Sequence, residues 1–182
     1  KLIHLRKRVR MLRKFLYVSL ISSFIYGQEK IPDMPIKLLD GTNTRLYEFL
    51  KDGPVIIDFW ATWCVPCKKL MKHLNKFHLH FNDLGLKVLA VSTDTPRTMG
   101  KVKSYIRSKK YEFFVAVDPN QQVMKKLKAE LMPTTIIVDR KGNVIYRHQG
   151  YYPGDEEKIL KTIEKYFNSE GIKYDQYSSI LN

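Results

Sequence analysis

Cysteine is nearly absent from this 182-residue chain: there are two, Cys64 and Cys67, within four residues of each other. A structural disulfide stabilises most when it closes a long loop, and this pair closes almost none, so a stapling role explains it poorly. Without a second Cys pair, the chain also lacks the other half of a tetrahedral thiolate zinc site. Histidine does not fill that gap. On a helix beginning after Cys64, His73 and His80 share a face roughly 120–140° away from Cys67, while His78 points near the apolar stripe as a packed core histidine would. Neither a metal nor a cofactor is expected.

Acidic residues are missing from positions 1–27, which hold seven Lys and Arg. Within that segment Arg13 and Lys14 precede an apolar run at 15–26 and then Gly27, the layout of a secretory signal peptide. The run falls short of the ~17–25 residues of a spanning helix, so a cleaved signal is expected, with an uncleaved membrane anchor as the alternative. Residues 1–10, "KLIHLRKRVR", read as an upstream extension and are set aside from the fold. Beyond residue 27 the balance is 25 basic against 18 acidic residues, a net +7 compared with +14 for the whole chain. No basic run there exceeds two residues and no nucleic-acid motif accompanies them, so the excess reads as solvated surface and no nucleic-acid partner is expected. Repeats and low-complexity tracts are absent as well. With 44% apolar and 12% aromatic residues, the composition suits one compact domain, placed at 28–170, with a loose polar tail at 171–182.

Several elements are legible in what remains. Residues 31–53 read as an irregular lead-in and a short hairpin, with strands at 36–39 and 44–47 around Asp40-Gly41. "PVIIDFW" (54–60) is an almost continuous apolar run, the pattern of a strand covered on both faces. A helix is predicted at 65–82, stopped by Gly85. Strands follow at 86–94 and 112–118, with helices at 96–109 and 120–129. Strands 134–139 and 143–150 flank the turn "RKG", and 153–168 is an amphipathic helix. Strands separated by helices and closed by a hairpin imply an α/β sandwich with a mixed sheet.

The helical wheel gives the two thiols different surroundings. Leu70, Met71, Leu74, Phe77 and Phe81 fall within about 60–80° of Cys67, and Lys68, Lys69, Lys72 and Lys76 lie opposite. Cys67 is therefore in line with the buried stripe, while Cys64 precedes the first full turn and is expected to be presented. Unpaired N–H groups at a helix start favour thiolate there, and Pro66 fits the first turn because its missing N–H would be unpaired anyway. An accessible thiolate with a shielded thiol three residues on is the arrangement that thiol–disulfide exchange requires. Asp58 interrupts the apolar run "VIIDFW". Buried, its carboxyl would be pushed up and could accept the proton of Cys67; at a sheet end it would be an ordinary solvated or hydrogen-bonded carboxylate.

"DFWATWCVPCK", together with "VLAVSTD", "VAVDPNQQV" and "MPTTIIVDRKGNVI", resembles the exported TlpA/ResA-like thiol–disulfide oxidoreductases of the thioredoxin-like superfamily. The resemblance runs from about residue 33 to 168. It implies a thioredoxin-like three-layer sandwich, a mixed central sheet flanked by helices, with an N-terminal β-hairpin extension. It implies that Cys64 is the nucleophile, Cys67 the resolving cysteine and Trp63 the supporting tryptophan. By the same resemblance Pro133 is a cis proline, which exposes the backbone of Met132 to an extended substrate; the residues alone suggest a trans proline starting a strand. Asp58 matches the buried aspartate of thioredoxin itself. Relatives often carry Glu and then Pro after the second cysteine, where this chain has Leu70 and Lys72, so the proton chemistry tied to that glutamate is in doubt and a straighter helix is expected. The implied protein is an exported monomer of the periplasm or cell envelope. It would reduce disulfide-bearing or dithiol envelope proteins with electrons from a membrane donor. A disulfide-forming oxidase and a thioredoxin-like binding module without turnover are the alternatives.

Overall fold

The computed structural model describes residues 28–175. The signal-peptide expectation falls on 1–27 and lies outside the described residues. Among the described residues no helix is long and apolar enough to cross a membrane.

The chain first forms a two-stranded antiparallel hairpin, β1 (Pro35–Lys37) and β2 (Asn43–Arg45). It continues through β3 (Val55–Trp60), helix α1 (Val65–Phe81), β4 (Lys87–Ser92), α2 (Met99–Lys109), β5 (Phe114–Val117) and the short α3 (Gln122–Lys126). Strands β6 (Thr134–Val138) and β7 (Val144–Gln149) and helix α4 (Asp155–Ser169) complete it. Five strands share one sheet in the order β5-β4-β3-β6-β7, parallel across β3–β4 and β4–β5 and antiparallel across β3–β6 and β6–β7. This is the expected mixed sheet.

Strand β3 sits at the centre, which explains its composition: all six residues of "VIIDFW" are buried. Ile56 and Trp60 point into a core shared with Cys67, Leu70, Phe77 and Phe81 of α1 and with Ile163 and Phe167 of α4. Val55, Ile57 and Phe59 point the other way, into a core closed by Met124 and Leu127 and by Ile31, Met34, Ile36 and Leu46 of the lead-in. Layers on both faces of a strand remove any place for an alternating polar residue, except at Asp58.

The lead-in is a strap over the second core. Leu38 bridges Ala116, the Leu39 amide donates to the Val115 carbonyl at 2.8 Å, and the Ile31 amide donates to the Gly142 carbonyl at 2.9 Å. Its hairpin is shorter than the sequence predicts. Leu46–Leu50 is a 3-10 turn because Leu46, Phe49 and Leu50 must all reach the core, a spacing that extended chain cannot supply. Strand β4 stops at Ser92 because Thr93 and Asp94 are occupied by loop contacts, and α2 starts at Met99, after a 3-10 turn at Pro96–Thr98. Gly85 ends the α1 segment as expected, at φ +92 and so close to the Asp52 carbonyl that an added Cβ would lie 2.2 Å from its oxygen. Residues 171–175 differ from the expected loose tail: Ile172 and Tyr174 pack on the α1–α4 core, with the Tyr174 ring 5.8 Å from that of Phe167.

Candidate active site

Cys64 and Cys67 are joined by a disulfide, with Cα atoms 5.3 Å apart. Cys64 is the N-cap of α1, its backbone extended, its amide donating to the Ala61 carbonyl at 3.0 Å. Its Sγ accepts the Cys67 amide at 3.3 Å, one of the N–H groups that a helix start leaves without a carbonyl partner. Pro66 occupies the first turn, where its lack of an N–H costs nothing. Cys67 is fully buried, and its Sγ lies 4.0 Å from the Phe59 carbonyl oxygen.

The contrast between the two sulfurs is narrower than the wheel suggests. Cys64 is only 5% exposed, because the bond to Cys67 draws its sulfur back over the helix end. Its neighbours carry the exposure: Trp63 is 68% and Val65 62% accessible. Leu131 and Tyr152 are further exposed apolar side chains.

The Met132–Pro133 peptide bond is cis, so the trans strand start that the residues alone suggest does not occur. Register places this bond at the active end of the sheet: Thr134 pairs with Phe59, which sets Pro133 beside Trp60. The Pro133 carbonyl accepts the Gly150 amide at 2.7 Å, tying the loop before β6 to the loop after β7. Met132 is half-buried, and its Sδ accepts the Thr93 hydroxyl at 3.1 Å. The Met132 amide and carbonyl make no hydrogen bond among the described residues.

Asp58 is fully buried in the middle of β3, between Ala90 and Thr135 on the neighbouring strands, which removes the solvated strand-end alternative. Alternation puts its side chain on the face of Ile56 and Trp60, the face packed by α1 and Cys67. Oδ1 accepts the Thr135 hydroxyl at 2.8 Å, and Oδ2 has no protein partner. Burial penalises the ionised form and pushes its pKa up to about 8, against a smaller lowering effect of the Thr135 hydroxyl.

Asp94 escapes sequence reasoning altogether. Its buried carboxylate accepts the Thr62 amide at 2.8 Å, the Thr62 hydroxyl at 2.6 Å and the Ser92 hydroxyl at 3.0 Å. The adjacent Thr93 amide donates to the Trp60 carbonyl at 2.9 Å. The end of β4 thus holds the loop that leads into Cys64 and touches the cis-proline loop. The available signal was the acid closing the apolar run in "VLAVSTD".

Leu70 is buried in the α1 core and Lys72 is exposed; α1 runs unbroken across both. The histidines are spread as the wheel implies. His78 is buried, His73 faces Glu156 at 4.0 Å, and His80 stacks edge-on to Phe81.

A Cys-x-x-Cys disulfide at a strand-to-helix junction, beside a cis-proline loop on a five-stranded mixed sheet, defines a thioredoxin-like thiol–disulfide oxidoreductase. More particularly, the chain belongs to the AhpC/TSA family, whose sequence model matches residues 28–147. It is similar to the thiol-disulfide oxidoreductase ResA of Bacillus cereus, at 29% identity over 148 residues, 81% of this chain and 83% of that one. The ResA of Bacillus subtilis is 29% identical over 132 residues, 70% of this chain and 73% of the relative. Among solved structures, a putative thiol:disulfide interchange protein DsbE from Chlorobium tepidum aligns with TM-score 0.69 and 30% identity, over 76% of this chain and 95% of that one.

Proposed function

We propose that this oxidoreductase works in the reductive direction on exported proteins, with Cys64 attacking, Cys67 resolving and Asp58 accepting the proton of Cys67. In the dithiol form the Cys64 thiolate, favoured by the α1 N-terminus, attacks one sulfur of a substrate disulfide. A mixed disulfide forms and the other substrate sulfur leaves as a thiolate. Cys67 then loses its proton toward Asp58 and attacks Cys64 Sγ, which closes the internal disulfide and releases the second substrate sulfur. Two electrons pass to the substrate, and the oxidised form described above is the product. A separate dithiol donor, on this reading at the membrane, must reduce Cys64–Cys67 for the next cycle.

The observation that carries this reading is the position of the disulfide: one sulfur caps the N-terminus of α1 between the exposed Trp63 and Val65, and the other is wholly inside the core. The free backbone of Met132 supports pairing with an extended substrate segment. The raised pKa of Asp58 supports the proton step, since an acid near neutrality exchanges protons with a thiol most readily. The apolar run at 15–26 is, on the same reading, the export signal, and the mature protein acts as a monomer.

Trapping tests the assignment. Cys67→Ser should leave attack intact and remove resolution, so substrates accumulate as mixed disulfides through Cys64. Accumulation in Cys64→Ser and not in Cys67→Ser would reverse the two roles.

A further inference from the structure

The positive charge left after residue 27 is not spread evenly. Helix α1 contains no Asp or Glu, and neither does the segment 95–111 that includes α2. The two helices are neighbours on one face of the sheet. The Lys68 ammonium of α1 lies 5.3 Å above the Tyr105 ring of α2, and Asn75 of α1 accepts the Glu112 amide beyond the end of α2 at 2.9 Å. Their outer surfaces carry Lys69, Lys72, Lys101, Lys103, Arg107 and Lys110, all exposed. None of these six forms an ion pair among the described residues. Elsewhere several cations are answered: Arg45 by Asp33, Lys87 by Asp52, Lys128 and Arg147 by Glu29, Lys158 by Asp155. Helix α4 shows the usual pattern, with Lys158, Lys161 and Lys165 interleaved with Glu157 and Glu164. Acids border the basic face at its rim: Asp40 and Glu112 line the groove beside Lys103 and Arg107, and Glu156 faces His73 on the α4 side of α1.

This face begins at the active site. The Lys68 amide donates to the Cys64 carbonyl at 3.2 Å, and Lys69 and Lys72 follow within two turns. On either side of Cys64 in the chain stand the exposed Trp63 and Val65. We infer that the acid-free face of α1 and α2 docks an acidic polypeptide, one with apolar residues beside its cysteine and Asp or Glu further along. The inference rests on the exchange chemistry at Cys64 proposed above and adds the chemical character of the partner. Unpaired cations beside the nucleophile attract such a chain over about a Debye length and raise its rate of encounter, while Trp63 and Val65 give its apolar residues a seat. An anionic bilayer would satisfy the cations but would present no disulfide to Cys64.

The test uses the mature chain in its reduced form and three oxidants. Two are disulfide-bridged peptides alike except for flanking Asp or flanking Lys; the third is a small uncharged disulfide. At low ionic strength the acidic peptide should oxidise the protein about tenfold faster than the basic one, and the gap should close at about 0.5 M salt. Combined Lys69→Glu, Lys72→Glu, Lys101→Glu and Arg107→Glu should abolish or invert the preference and leave the rate with the uncharged disulfide unchanged. Equal rates for the two peptides, or a preference that survives the four substitutions, would overturn the docking proposal. It would equally be overturned if the four substitutions removed binding to anionic phospholipid vesicles and left the peptide preference intact, which would make the face a membrane surface. No reaction with the uncharged disulfide would instead overturn the exchange chemistry beneath it.

Discussion

Asp58 and Asp94 are both buried, one in the middle of β3 and the other just past the end of the neighbouring β4, and their surroundings are opposite. Asp94 has three donors converging on its two oxygens, so burial leaves nothing unsatisfied. Asp58 has one donor and one bare oxygen, so burial works against its charge and raises its pKa to about 8. A buried carboxyl with its partners in place is a structural fastener; one left short of partners holds its proton to unusually high pH. The fastener holds the loop that enters Cys64, and the proton-holding acid lies on the face of β3 that α1 covers.

The largest effect should come from removing the fastener. Asp94→Ala leaves the Thr62 amide and two hydroxyls without their acceptor and should cost about 3 kcal/mol in urea unfolding at neutral pH. It should also loosen the Cys64 loop and slow disulfide exchange. A loss under about 0.5 kcal/mol would mean that water replaces the carboxylate and that Asp94 fastens nothing.

Asp58→Asn should act with the other sign. The folded pKa lies above the unfolded value of ~3.9, so the native state binds the extra proton between them, and the stability Asp58 allows falls as pH rises from about 4 to about 8. The asparagine has no charge to desolvate. The variant should therefore gain stability above pH 8, with the gain fading toward pH 4, as read from unfolding midpoints across pH. On the proposed role of Asp58 as proton acceptor for Cys67, turnover should also fall. An unchanged stability profile would place Asp58 with the ordinary satisfied acids and erase its difference from Asp94.

These two residues also mark how far the sequence can be read. Asp58 was legible because it breaks an apolar run in a strand that must be covered on both faces, and a carboxyl there has few fates. Asp94 was not, because its meaning comes from Thr62, 32 residues earlier, and an acid at the end of a strand has many ordinary explanations. The mixed sheet, cis Pro133 and the cysteine pair followed from local patterns and from resemblance. The contraction of the hairpin, the packing of Ile172 and Tyr174, and the narrow exposure of Cys64 did not. Each is fixed by a tertiary contact or by the disulfide itself. Nor did the charge total show its distribution: a net +7 reads as ordinary surface until α1 and α2 are seen side by side.

The central claim is that the two thiols differ in kind, Cys64 poised as thiolate at the helix start and Cys67 held back in the core. Alkylation of the fully reduced protein with iodoacetamide, followed at each cysteine across pH, tests it most directly. Cys64 should react at least about tenfold faster than Cys67 near neutrality, along a titration curve centred below the ~8.5 of a free thiol. Equal rates at the two cysteines, or a Cys64 curve centred at the free-thiol value, would contradict the account.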